Sequence, residues 1–252
     1  VLAAAVLFDS GMEHYRGYFF NPAMYTPLAV SSLTLGAAAS GSKPAARRLR
    51  DLSFVLAALS GGVGTGFHLY NVGVRRGGFT WQNLFYAAPL GAPAALGLAG
   101  VYGFLAERVS RARSPRLFGL PAGRLLAGLT SLALLGTSAE AGLFHFRGAY
   151  HDPFMYVPVS IPPLAAAFLA RAAMRPTRAA IALARFGLRL AATVGVAGAG
   201  FHAYGVHRNM GGWRNWKQNA LAGPPLPAPP SFTGVALAGL GALRLLKASH
   251  NA

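Results

Sequence analysis

The stretch Glu13-His14-Tyr15-Arg16-Gly17, continued by Asn21-Pro22, Met24-Tyr25 and Pro27, decides how this chain is read, because it occurs twice. Its second copy is Phe144-His145-Phe146-Arg147-Gly148, with Asp152-Pro153, Met155-Tyr156 and Pro158, at a constant offset (145 − 14 = 131). Upstream, Asp9 and Gly11 match Glu140 and Gly142, so both copies read acid-x-Gly-x-x-His-aromatic-Arg-Gly. A second matched pair follows each copy. Gly66-Phe67-His68, Tyr70, Val72 and Gly77-Gly78 correspond to Gly200-Phe201-His202, Tyr204, Val206 and Gly211-Gly212 (202 − 68 = 134). Between these islands the halves have drifted: Ser31-Ser32-Leu33-Thr34-Leu35 stands against Pro162-Pro163-Leu164-Ala165-Ala166. Identity confined to the islands points to a shared requirement, of structure or of chemistry, rather than to a recent copy.

Composition sets the solvent. Of 252 residues, 54% are hydrophobic and only 12% charged, which places the chain in lipid. The net charge of +17 does not point to nucleic acid, because the cations fall in short clusters between apolar runs rather than along one polar face. There is no cysteine, so disulfides, thiolate metal sites and cysteine-ligated iron–sulfur clusters are excluded within the chain.

Runs of about 20 apolar residues cross a hydrocarbon core. Eight candidates appear, near 1–15, 23–41, 52–74, 83–106, 122–146, 154–173, 180–206 and 229–247. The first is short and reads as truncated or processed at Val1. The expectation is an all-α polytopic membrane protein of about eight transmembrane helices, built as two tandem parallel four-helix repeats. Residues 1–108 form the first, 109–121 a basic linker and 122–252 the second. An even number of spans per repeat inserts both from the same side. Lys43, Arg47, Arg48 and Arg50, then Arg108, Arg111, Arg113 and Arg116, then Arg171, Arg175 and Arg178, then Arg244 and Lys247 all fall on one side. By the excess of basic residues in cytoplasmic loops, that side is cytoplasmic in a bacterial-type inner membrane, with both termini inside and the repeated motifs facing out.

An acid held at the same membrane depth in both halves raises a functional question. Residues seven apart share a helix face about 10 Å apart, so Asp9 and Arg16, and Glu140 and Arg147, could be bridged directly or through a water or a third group, either as ion pairs that fix the helix end or with the acids as proton-handling groups. The four repeated histidines carry the sharper signal. Gly61, Gly64 and Gly66 precede His68, and Gly195, Gly198 and Gly200 precede His202. One reading is b-type haem, with His14, His68, His145 and His202 as iron ligands and glycines admitting the macrocycle. The other is a quinone pocket in which these histidines, Tyr70, Tyr204, Arg16 and Arg147 contact the oxygens and the imidazoles exchange protons. The bland alternative is close packing through small residues, with histidines bonded between helices. Met24 and Met155 beside Tyr25 and Tyr156 read as interfacial residues in preference to copper ligands. Gly17, Gly148 and the Asn21-Pro22 and Asp152-Pro153 pairs read as tight reversals. The outer segments 71–89 and 207–230, rich in Trp, Arg and Pro, read as interfacial loops on which other subunits of a membrane complex dock.

No nucleotide-binding glycine loop, zinc-protease helix or nucleophile elbow is present. In architecture alone the chain resembles the quinol-binding membrane subunits of polysulfide-reductase-type respiratory complexes, which pair four-helix bundles; none of that family's motifs can be placed, so no residue role is carried over. The function expected first is a membrane anchor and electron-transfer subunit of a respiratory or photosynthetic complex, working between an extracytoplasmic partner and quinone. The rivals are a structural scaffold and a small-solute transporter. The latter is disfavoured because the polar signals gather near one surface instead of the midplane.

Overall fold

The computed structural model describes residues 1–41, 43–112 and 116–250. Arg113 of the basic linker lies outside them, with Ser114 and Pro115. The protein is 81% helical, in agreement with the all-α expectation. The helices are α1 (Leu2–Arg16), α2 (Thr26–Ala39), α3 (Arg47–Gly73), α4 (Trp81–Tyr86), α5 (Gly91–Ser110), α6 (Ala122–Arg147), α7 (Val157–Met174), α8 (Arg178–Arg208), α9 (Trp216–Ala222) and α10 (Pro230–His250). A small hairpin, β1 (Arg116–Leu117) with β2 (Leu120–Pro121), precedes α6. Among the described residues, the stretches Pro44–Gly73, Ala122–Arg147, Pro153–Met174 and Arg178–Arg208 are long and apolar enough to cross a membrane, and the protein is a helical membrane protein on that ground. At 15 and 14 residues, α1 and α2 fall short of that length.

The expected span from 83 to 106 divides into two elements. Thr80 Oγ1 accepts the Asn83 N–H and starts α4, and the chain then turns extended at Ala87, two residues before Pro89. Pro89 has no N–H with which to continue a helix, so α5 starts afresh at Gly91. The same break, at Gly223, separates α9 from the proline run before α10.

Small residues set the packing. A Cβ added at Gly61 would meet the backbone of Gly97, and one at Gly100 would meet Ala58 and the Phe54 carbonyl, so α3 and α5 touch backbone to backbone. Gly195 and Gly198 serve α8 in the same way, against Pro229 and Thr233 at the start of α10. The largest core is built almost entirely of Ala and Leu: Ala127, Leu134, Ala165, Leu169, Ala184, Leu188 and Leu243 come together from α6, α7, α8 and α10. Val6, Val30, Ala57 and Leu96 form the smaller core of α1, α2, α3 and α5.

At the end of the bundle away from the histidines, Arg50 of α3 donates from Nε to Glu107 Oε1 of α5 at 2.7 Å, and Arg111 reaches both Glu107 and Asp51. Two cations counted toward the cytoplasmic excess are therefore internally paired.

Candidate functional site

Each α1–α2 and α6–α7 reversal is built alike. After Gly17, Tyr18 (φ 58°) and Phe19 (φ 45°) adopt left-handed backbone, and after Gly148, Ala149 (φ 57°) and Tyr150 (φ 46°) do the same. The strain is offset locally: Phe19 donates its N–H to the His14 carbonyl, and Tyr150 to that of His145. Asn21 and Asp152 then cap the following turns through the N–H groups of Ala23 and Phe154, both at 2.9 Å. The glycines do not make the reversal themselves, since Gly17 and Gly148 have ordinary φ of −86° and −82°. Gly17 and Gly148 make room instead, and the Met24 and Met155 side chains rest on them.

These turns hold the first pair of imidazoles. His14 Nδ1 bonds the Met24 carbonyl at 2.6 Å, and His145 Nδ1 bonds that of Met155 at 3.0 Å. The second pair is held the same way by the proline segments: His68 Nδ1 to the Pro89 carbonyl at 2.5 Å and His202 Nδ1 to the Pro225 carbonyl at 2.7 Å. A carbonyl only accepts, so in all four rings Nδ1 carries a proton, and in the neutral tautomer the lone pair is on Nε2. His68 lies within electrostatic reach of His14, and His145 within reach of His202. The imidazoles therefore come in two pairs, one from α1 and α3, the other from α6 and α8.

Aromatic side chains close around the first ring of each pair. Phe19 meets His14 edge-on with ring centroids 6.1 Å apart and stacks on Tyr25 at 4.4 Å; Tyr150 repeats this against His145 (6.1 Å) and Tyr156 (4.5 Å). Phe19 and Tyr150 are site residues that the motif comparison missed, although both are aromatic at the same offset of 131. Asn83 and Asn219 also find their role. Asn83 Nδ2 donates to the carbonyls of Arg76 and Gly78, and Asn219 Nδ2 to those of Met210 and Gly212, so each holds its outer loop closed.

Among the described residues no direct ion pair joins Asp9 to Arg16 or Glu140 to Arg147. Arg16 pairs with Glu13 one turn away and sends Nη2 across to the carbonyls of Ala220 and Gly223, both at 2.9 Å, at the end of α9. Arg147 lies over the rings of Tyr86 and Phe144. Arg16 of α1 thus reaches the end of α9, and Arg147 of α6 reaches α4. Glu140 instead accepts the Gly91 N–H at 2.8 Å and caps α5, while Asp9 Oδ1 is buried without a hydrogen-bond partner among the described residues. Asp9 lies within electrostatic reach of Glu13, Glu140 and Arg16.

Tyr70 and Tyr204 are not brought in with the imidazoles; both are largely exposed, and Arg208 covers the Tyr204 ring. The glycine faces before His68 and His202 are mostly consumed by helix packing, and only Gly66 and Gly200 look onto open space. A groove of about 580 Å³ lined by Arg75, Arg76, Gln82, Asn83 and Tyr86 opens in the outer loop, but none of the four histidines lines it. Among the described residues no three His, Asp or Glu side chains converge as a metal cluster. Comparison with family models, curated proteins and solved structures gives no match.

Proposed function

We propose that the chain is the membrane-anchor and electron-transfer subunit of a multi-subunit redox complex, passing electrons between an extracytoplasmic partner and quinone. In this reading eight helices span the membrane as two tandem parallel four-helix repeats. The first repeat comprises α1, α2, α3 and α5, the second α6, α7, α8 and α10, with α4 and α9 lying at the outer surface. Four matched histidine–carbonyl bonds, two matched left-handed turns and two matched asparagine clasps support the repeat.

The observation that carries the function is the common state of the four imidazoles. Each gives Nδ1–H to a backbone carbonyl, a bond that fixes the ring's orientation and leaves Nε2 as the nitrogen able to bind a ligand. Two such nitrogens per pair would hold the iron of a b-type haem, which would supply one-electron transfer when bound. The same nitrogens would hold a quinol by its hydroxyl groups, where a neutral Nε2 would serve as a proton acceptor. Within this reading a buried carboxylate at the junction of the halves receives the proton. The outer segments 71–89 and 207–230, with exposed Trp81, Met210 and Trp216, are the surface offered to the partner.

A scaffold role is the second reading, and the crossing of Arg16 to α9 favours it, since that contact staples the halves without any cofactor. A reduced-minus-oxidised absorption spectrum of the purified protein, with identification of copurifying quinone, separates the two. A haem band lost in His68→Ala and His202→Ala, or a quinone lost in them, supports the electron-transfer reading. Neither cofactor in the wild type leaves the scaffold.

A further inference from the structure

The matched acids Asp9 and Glu140 occupy equivalent places but are not treated equally. Glu140 is capped by the N–H of Gly91, and the fit is close: a Cβ at Gly91 would fall on the Glu140 carboxylate. At the offset that aligns Asn83 with Asn219 (219 − 83 = 136), the residue corresponding to Gly91 is Pro227. Proline has no N–H to give.

Asp9 faces that proline segment. Leu2, seven residues before Asp9 and so on the same face of α1, packs on Gly234, one turn into α10. Asp9 lies about 10 Å further along α1, at the level of the residues that lead into α10. Of the two backbone N–H groups that reach Glu140, that of Leu90 corresponds to Leu226, but that of Gly91, its close partner, has no counterpart there, in keeping with the unpartnered Asp9 Oδ1. A buried oxygen without a partner is a rarity that calls for a role, and an acid kept in a membrane helix calls for one still more.

We infer that the two carboxylates have divided their work: Glu140 is a structural cap, and Asp9 is the group at the junction of the halves that binds and releases a proton. The step makes and breaks a single O–H bond on Asp9. The charged groups acting on Asp9 are Glu13, Glu140 and Arg16. The elements packed against α1 add none, since α2, residues 91–106 of α5 and residues 230–243 of α10 carry no charged side chain. The inference rests on the electron-transfer reading only for where the proton comes from.

The test is labelling of native membrane vesicles with dicyclohexylcarbodiimide, an apolar reagent that adds to carboxylic acids in membranes, followed by mass mapping of peptides. The expected result is one adduct, on Asp9, absent in Asp9→Asn, with Glu140 unlabelled. Gly91→Pro, which gives the first half the proline of the second, adds an adduct on Glu140. An adduct on Glu140 in the wild type, or none on Asp9, overturns the inference, and the wild-type map decides even if Gly91→Pro fails to fold. Labelling of Asp9 in protein that lacks both haem and quinone would remove the electron-transfer reading while leaving the division of labour intact.

Discussion

Glu140 Oε1 accepts the N–H of Gly91 at 2.8 Å, so a carboxylate carried by α6 caps the first turn of α5. The bond ties α5 to α6. Gly91→Ala drives a methyl into the carboxylate and takes it off its donor, a loss of about 1–3 kcal/mol. Thermal unfolding in detergent should show this, with Glu140→Gln milder than Glu140→Leu because the amide oxygen still accepts. An unchanged midpoint in Gly91→Ala would remove the cap from the account.

Asparagine replaces the Nδ1 donor of histidine but not its Nε2. His202→Asn should therefore keep the bond to the Pro225 carbonyl and stay within about 1 kcal/mol of wild type, whereas His202→Ala leaves the buried carbonyl orphaned and loses about 1–3 kcal/mol. Both variants lose any cofactor bound through Nε2. If both also keep it, the imidazole is a structural peg.

Ala149 holds φ of 57° with no ring to justify it, whereas Tyr150 next to it stacks on Tyr156 and meets the edge of His145. Left-handed backbone costs a non-glycine residue about 1–2 kcal/mol. Ala149→Gly should raise stability by about 1 kcal/mol, and Tyr150→Gly should lower it despite relieving the same strain. Equal effects of the two, measured by denaturation of the purified protein, would mean that the aromatic enclosure contributes nothing.

At the far end of the bundle, Arg50 and then Arg111 beside Glu107 hold its carboxyl below the usual carboxylate range, against an opposing effect of burial. The unfolded chain therefore binds the proton more readily than the folded one. The contribution of Glu107 is complete above the ordinary glutamate value of about 4.3 and is lost as pH falls through the lower folded value. Melting temperature should decline on that acid limb, and Glu107→Gln, already less stable at neutral pH, should decline less steeply. A parallel decline in both proteins would show that the Arg50–Glu107 pair does not set the acid sensitivity.

The histidines, their matched arginines and the helical class were legible in the sequence because side-chain identity recurs there at fixed offsets. Their partners were not. The Met24, Met155, Pro89 and Pro225 carbonyls that hold the imidazoles are backbone atoms, and nothing in a side-chain pattern announces a carbonyl. The path of Arg16 to α9 depends on how the halves meet, which no local period encodes. Glycine was legible as a signal but not as a mechanism. Gly17 makes room for Met24 rather than making a turn, and Gly61 and Gly195 bring helices into contact rather than admitting a ring. The break before α5 was available in Pro89 but was masked by the apolar run on both sides of it.

The central claim is that two imidazole pairs, each with Nε2 free, hold a redox group within the membrane. An electron cryomicroscopy map of the assembly purified from native membranes tests it most directly. The account predicts non-protein density bonded to Nε2 of His14 or His68 and of His145 or His202, with a second polypeptide seated on segments 71–89 and 207–230. Imidazoles enclosed by protein side chains and acyl chains alone, with no such density in either half, would contradict it.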